Sequence, residues 1–123
     1  MKLTLSTLPK TWIFDLDGLL VSHNGHLRGG DRLLPGVTDF WAALDPADMV
    51  VLLTARPAEE TAGIRDFFSR HGLRFDHIVP GCPVGERILF NDAKPSGLCM
   101  AHAVSLPRDA GLADVSLHLD RNL

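Results

Sequence analysis

Residues 11–20 read TWIFDLDGLL. Trp12, Ile13, Phe14 and Leu16 make the apolar run of a buried strand, yet Asp15 and Asp17 stand at alternate positions inside it. Removing an unpartnered carboxylate from water is expensive, so two in such a run imply a positive partner nearby.

Working outward, the apolar runs alternate with amphipathic stretches. VTDFWAAL (37–44), opened by Pro35 and Gly36, reads as a helix with Phe40, Trp41 and Leu44 inward. MVVLLTA (49–55) is a second strand, its unbroken Val/Leu run suiting burial on both faces. PAEETAGIRDFFSRHG (57–72) has Pro57 in its first turn, glutamates at its positive end, and Ile64, Phe67 and Phe68 spaced for one helical face. Gly72 is its stop. FDHIVP (75–80), RILFND (87–92) and AHAVSL (101–106) read as further strands. Strands alternating with helices in this order predict an α/β domain, a three-layer Rossmann-like fold around a central parallel sheet.

Composition limits the alternatives. A chain of 123 residues is expected to be one domain, 1–123, too short for a catalytic core with a separate lid domain. A hydrophobic content of 46% with 22% charged residues suits a water-soluble globular protein, and a formal charge of −3 gives no electrostatic reason to expect nucleic acid or an anionic membrane as partner. No apolar run approaches the roughly 20 residues of a membrane span. MKLTLSTLPK lacks the apolar core of a signal peptide, and the two cysteines, Cys82 and Cys99, are isolated. A cytoplasmic location with reduced thiols is the expectation.

In open parallel sheets ligands bind beyond the carboxyl ends of the strands, which gives the polar residues a common address. Asp15 and Asp17 close the first strand, Thr54 closes the second, and Asn91 and Asp92 close the RILF strand with Lys94 just after. Carboxylates with a hydroxyl and a lysine suit a divalent cation such as Mg²⁺ and a phosphate.

FDLDGLL, VVLLTAR and ILFNDAKPSG, in that order over residues 11 to 98, resemble the motifs of the haloacid dehalogenase (HAD) superfamily of aspartate-nucleophile phosphatases. The resemblance implies Asp15 as nucleophile, Asp17 as general acid/base, Thr54 as the hydroxyl that orients phosphate, and Lys94 as the phosphate-facing cation. It implies Mg²⁺ held by Asp15, Asp17 and Asp92. Gly18, Ala55, Arg56, His23 and Asn24 are the expected substrate-binding residues, with Arg28 a further candidate. The cation departs from the family pattern: Lys94 follows Asp92, and Arg87 is the near-upstream alternative. Leu19 stands where the family usually has threonine, and the second acid of the last motif is absent unless Asn91 replaces it.

Members of that superfamily often carry a cap domain. Residues 18 to 48 and 57 to 86 leave no room for an insert of roughly 50 residues, so the chain resembles the small capless type. Residues 20–34 then read as a flap turning on Gly25, Gly29 and Gly30, while His23 and His26 lack further ligands at a zinc-like spacing. An open site calls for a lid, and Leu19, Leu20, Leu27, Leu33 and Leu34 point to a neighbouring copy, hence a homo-oligomer. The expected activity is Mg²⁺-dependent hydrolysis of a small phosphorylated metabolite, such as a sugar or polyol phosphate. The alternative is a phospho-ligand or partner-binding module without turnover. Residues 107–123 carry no assignment.

Overall fold

The computed structural model describes residues 1–123. Three parallel strands, β2 (Thr11–Asp15), β3 (Met49–Leu53) and β4 (His77–Val79), form one sheet in the order β2-β3-β4. Crossover segments carry α1 (Val37–Ala42) between the first two strands and α2 (Thr61–Arg70) between the last two. A second, two-stranded parallel ladder joins β1 (Lys2–Leu5) to β5 (Ser116–Leu119). This is an α/β protein with parallel strands in two sheets, consistent with a Rossmann-like arrangement.

Alternation along β2 decides how that strand sits. Phe14 is buried and Trp12 half-buried on the inward side, whereas Thr11, Ile13 and Asp15 are exposed. Val50 and Leu52 of β3 face the same core, into which α1 sends Val37, Phe40 and Trp41 and α2 sends Ile64, Phe67 and Phe68. Aromatic rings knit this core: Phe14 lies 4.6 Å from Trp41, and Phe68 meets Phe75 edge-on at 5.4 Å. Polar groups at its margin are satisfied. The buried Asp48 carboxylate accepts the Trp12 indole N–H at 2.8 Å and the Lys10 amide at 2.9 Å, so neither end of the β2–β3 entry is left unpaired.

Both helices pack on one face. Ile13 and Val79 on the other face are 53% and 46% exposed, and no helix follows α2 to cover them, so the third layer expected of the fold has no element here. The helix expected over 57–72 begins with a 3₁₀ turn (Ala58–Glu60) before α2 and ends at Gly72, whose φ is +67°.

Two expected strands are corrected. Residues 87–92 and 101–106 form no ladder, and between 83 and 105 every residue except Leu98 is exposed. A strand exists through the neighbour that pairs with it, and no backbone hydrogen bond from RILFND reaches β2. The Arg87 guanidinium instead donates to the carbonyls of Pro83 and Gly85, at 2.9 and 3.2 Å, folding the segment on itself.

The flap expectation is corrected in one respect. Leu20 and Leu34 are buried and Leu19 and Leu33 pack against the core, leaving Leu27 alone exposed, at 72%. These leucines serve the chain's own interior. The C-terminal segment, unassigned from the sequence, is tied in by β5 and by Leu112, whose amide donates to the Pro35 carbonyl at 2.8 Å. Gly111 makes that approach feasible, since a β-carbon there would meet the Pro35 oxygen at 2.3 Å.

Candidate functional site

The site grows from the register of β2 on β3. Asp15 lies opposite Leu53, so Thr54, the next residue, stands at the adjacent strand end. Beyond β2 the chain turns tightly, with Gly18 at φ +84° and its amide donating to the Val21 carbonyl at 2.7 Å. That turn carries Asp17 back over the sheet edge.

Arg56 answers the question raised by the aspartates. Its guanidinium is 5% exposed and donates four charge-assisted hydrogen bonds: Nε and Nη2 to the two oxygens of Asp17 at 3.1 and 2.6 Å, and Nη1 and Nη2 to the two oxygens of Asp31 at 2.9 and 2.8 Å. Burial alone would lower the Arg56 pKa, but the bonds to Asp31 and Asp17 outweigh it and push the value up, so the fork stays cationic. Its backbone amide donates to the Thr54 hydroxyl at 3.1 Å, which ties that buried hydroxyl to the same knot. Asp31 belongs to the flap. The arginine therefore latches residues 20–34 onto the strand ends.

Asp15 is different. Its carboxylate is 57% exposed, accepts the Leu16 amide at 3.0 Å, and has the Arg87 guanidinium 3.9 Å away. Partial burial at the strand end lifts its pKa above the ordinary carboxylate value; the Leu16 amide and Arg87 pull down, Asp17 pushes up and His23 pulls down. Asp15 is thus the open carboxylate of the site, and Asp17 the occupied one.

The other expected residues divide. His23 sits beside the Gly18 turn, its amide donating to Asp109 Oδ1 at 2.8 Å. Asn24 adopts a left-handed φ of +55° leading into the 3₁₀ turn Gly25–Leu27, and Ala55 is exposed next to Thr54. Asp92 and Lys94 do not join them. They line a shallow surface depression with Asn91, Leu98 and Met100, to which neither Asp15, Asp17 nor Thr54 contributes. Of the two cations considered, Arg87 is the one at Asp15.

Two participants, Asp31 and Asp109, escaped the sequence, and a third, His26, was considered there only as half of an H-x-x-H pair. Asp31, in GGDRLLPG, carries no periodic or motif signal. His26 approaches Asp17 at 3.9 Å and Glu60 at 3.8 Å, and its buried Nδ1 has no hydrogen-bond partner. Asp109, from the far end of the chain, meets the flap only through folding.

The arrangement does not fit Mg²⁺ on Asp15, Asp17 and Asp92. Both Asp17 oxygens are taken by Arg56, and Asp92 lies in the exposed segment. Asp17, His26 and Asp31 do bring ligand atoms within 4.8 Å of one another, but the guanidinium already occupies those carboxylates and would repel a second cation. Comparison of the chain with family models, with curated proteins and with solved structures finds no match.

Proposed function

We propose that the chain is a phosphomonoester hydrolase of the HAD type that works through an aspartyl-phosphate on Asp15. The carrying observation is the side-by-side ending of β2 and β3, at which Asp15 is an open carboxylate opposite Leu53, the residue before Thr54, with the Arg87 guanidinium 3.9 Å away. An Asp15 oxygen forms a bond to phosphorus as the ester P–O bond breaks, the departing alkoxide takes a proton, and water then splits the acyl phosphate to release phosphate and restore Asp15. Asp17 is the proposed proton carrier, and serving so requires freeing one oxygen from Arg56. Arg87 takes the cationic role in preference to Lys94 because it is the guanidinium that faces Asp15. A small sugar or polyol phosphate as substrate, a cytoplasmic setting and a homo-oligomer belong to this reading through the sequence resemblance.

The second reading is a phospho-ligand-binding module, favoured by the fully engaged Asp17. Phosphate release from 4-nitrophenyl phosphate, with and without Mg²⁺, separates them. The hydrolase reading expects turnover that falls by more than about 10⁴-fold in a folded Asp15→Asn protein, beyond what loss of acid/base help alone produces. It also expects Arg87→Ala to slow turnover by roughly 10²-fold, the usual effect of removing one charge-stabilising donor, while Lys94→Ala changes it little. Absence of turnover under both conditions leaves the binding module.

A further inference from the structure

The segment after Leu106 reaches the loop that follows β2. Pro107 to Ala110 form a turn, closed by the Ala110 amide on the Pro107 carbonyl at 3.1 Å. Asp109 clasps that turn to the loop after β2: its amide donates to the Gly18 carbonyl at 2.8 Å, and its carboxylate accepts the His23 amide at 2.8 Å. It does so with φ at +64°, a left-handed conformation that a non-glycine residue holds only at some cost. The clasp lays Arg108 across Gly18, where a β-carbon would be 3.4 Å from Arg108 Cγ.

Charge shows what Arg108 is free to do. Asp15, Asp17, Asp31, Glu60 and Asp109 set five carboxylates around this end of the sheet. Among the guanidiniums beside them, Arg56 is paired with Asp17 and Asp31, and Arg87 stands at Asp15. Arg108 has no ion pair and is exposed. A planar fork with unused donors, held by a strained turn at the rim of an acidic site, is suited to an oxyanion.

We infer that Arg108 binds a second oxyanion, a carboxylate or phosphate on the part of the substrate that leaves, so that the preferred substrate is a phosphate monoester bearing another anionic group. This rests on the hydrolase reading for the word substrate, but not for the binding. Arg87 faces the phosphoryl group at Asp15. Arg108 lies against Gly18, three residues past Asp15, where its exposed side chain is available to the rest of the molecule.

The test is calorimetric binding of 3-phosphoglycerate and glycerol 3-phosphate, which differ at one end by a carboxylate, to Asp15→Asn protein, so that ligand is not consumed. A charge-assisted contact predicts a preference of about tenfold for 3-phosphoglycerate. Adding Arg108→Ala is expected to abolish that preference while leaving the glycerol 3-phosphate affinity within about twofold, and Arg108→Lys to restore part of it. Retention of the preference in Arg108→Ala, or its absence with Arg108 present, including no binding of either ligand, overturns the inference. Phosphate release by protein with Asp15 intact is scored separately: preference without release sinks the hydrolase reading alone, and release without preference sinks the inference alone.

Discussion

Residues 11–79 and residues 83–105 have comparable apolar runs but opposite fates. In the first region MVVLL and TWIFD lie in register and bury Phe14, Val50 and Leu52; in the second, RILF leaves Ile88 72% and Phe90 91% exposed. The difference teaches that hydrophobic pattern supplies a strand only where a neighbour is positioned to receive it. β2 and β3 are brought together by a helix whose own apolar face fills the crossover. After β4 no helix forms, and RILF has nothing to carry it back to the sheet.

The sharpest challenge to that contrast is mutational. Phe68→Ala, in the core, is expected to cost about 3–5 kcal/mol in urea unfolding. Phe90→Ala is expected to stay within about 0.5 kcal/mol, as surface changes do, and a cost above about 2 kcal/mol would mean that residues 83–105 pack after all.

Arg56 and Lys94 extend the comparison to charge. Arg56→Ala leaves Asp17 and Asp31 without their partner, at an expected cost of about 3 kcal/mol, the low end for a broken buried pair because both carboxylates keep some water. Lys94→Ala should be neutral in the same unfolding experiment. Equal effects would remove Arg56 as the flap latch.

Glycines give a smaller contrast. A β-carbon at Gly36 would meet the Ala113 backbone at 2.3 Å, with φ at +79°, whereas Gly85 has nothing within 4 Å. Gly36→Ala is expected to cost roughly 1–3 kcal/mol through overpacking and strain, and Gly85→Ala nothing measurable.

The smallest effect concerns Asp15. Its pKa is raised in the fold, so the stability it contributes is fully present below the ordinary value of 3.8 and is lost as pH rises through the raised value. Asp15→Asn should therefore stabilise the fold at neutral pH by a fraction of a kcal/mol at most, because the carboxyl is largely exposed, raising the melting temperature slightly, and the gain should vanish below the ordinary carboxylate range. The same shift moves the acid limb of any Asp15-dependent rate upward in pH. A melting temperature that falls at neutral pH would show Asp15 to be stabilising instead.

Local pattern determined the elements that pack through their own neighbours in sequence. The β2, β3 and β4 strands and both helices follow from apolar runs and from the spacing of Ile64, Phe67 and Phe68, and the strand-end positions of Asp15 and Thr54 follow from those runs. The positive partner required by Asp15 and Asp17 was implied by desolvation alone, though its identity was not. Only tertiary structure decided that Arg56 is committed to Asp17 and Asp31, that Arg87 rather than Lys94 faces Asp15, and that the chain's end brings Arg108 to Gly18. It also decided against the strands at 87–92 and 101–106 and in favour of β1 pairing with β5. Periodicity reports which side of an element is apolar, whereas a charge pair or a ladder between distant segments depends on where those segments end up, which no local pattern encodes.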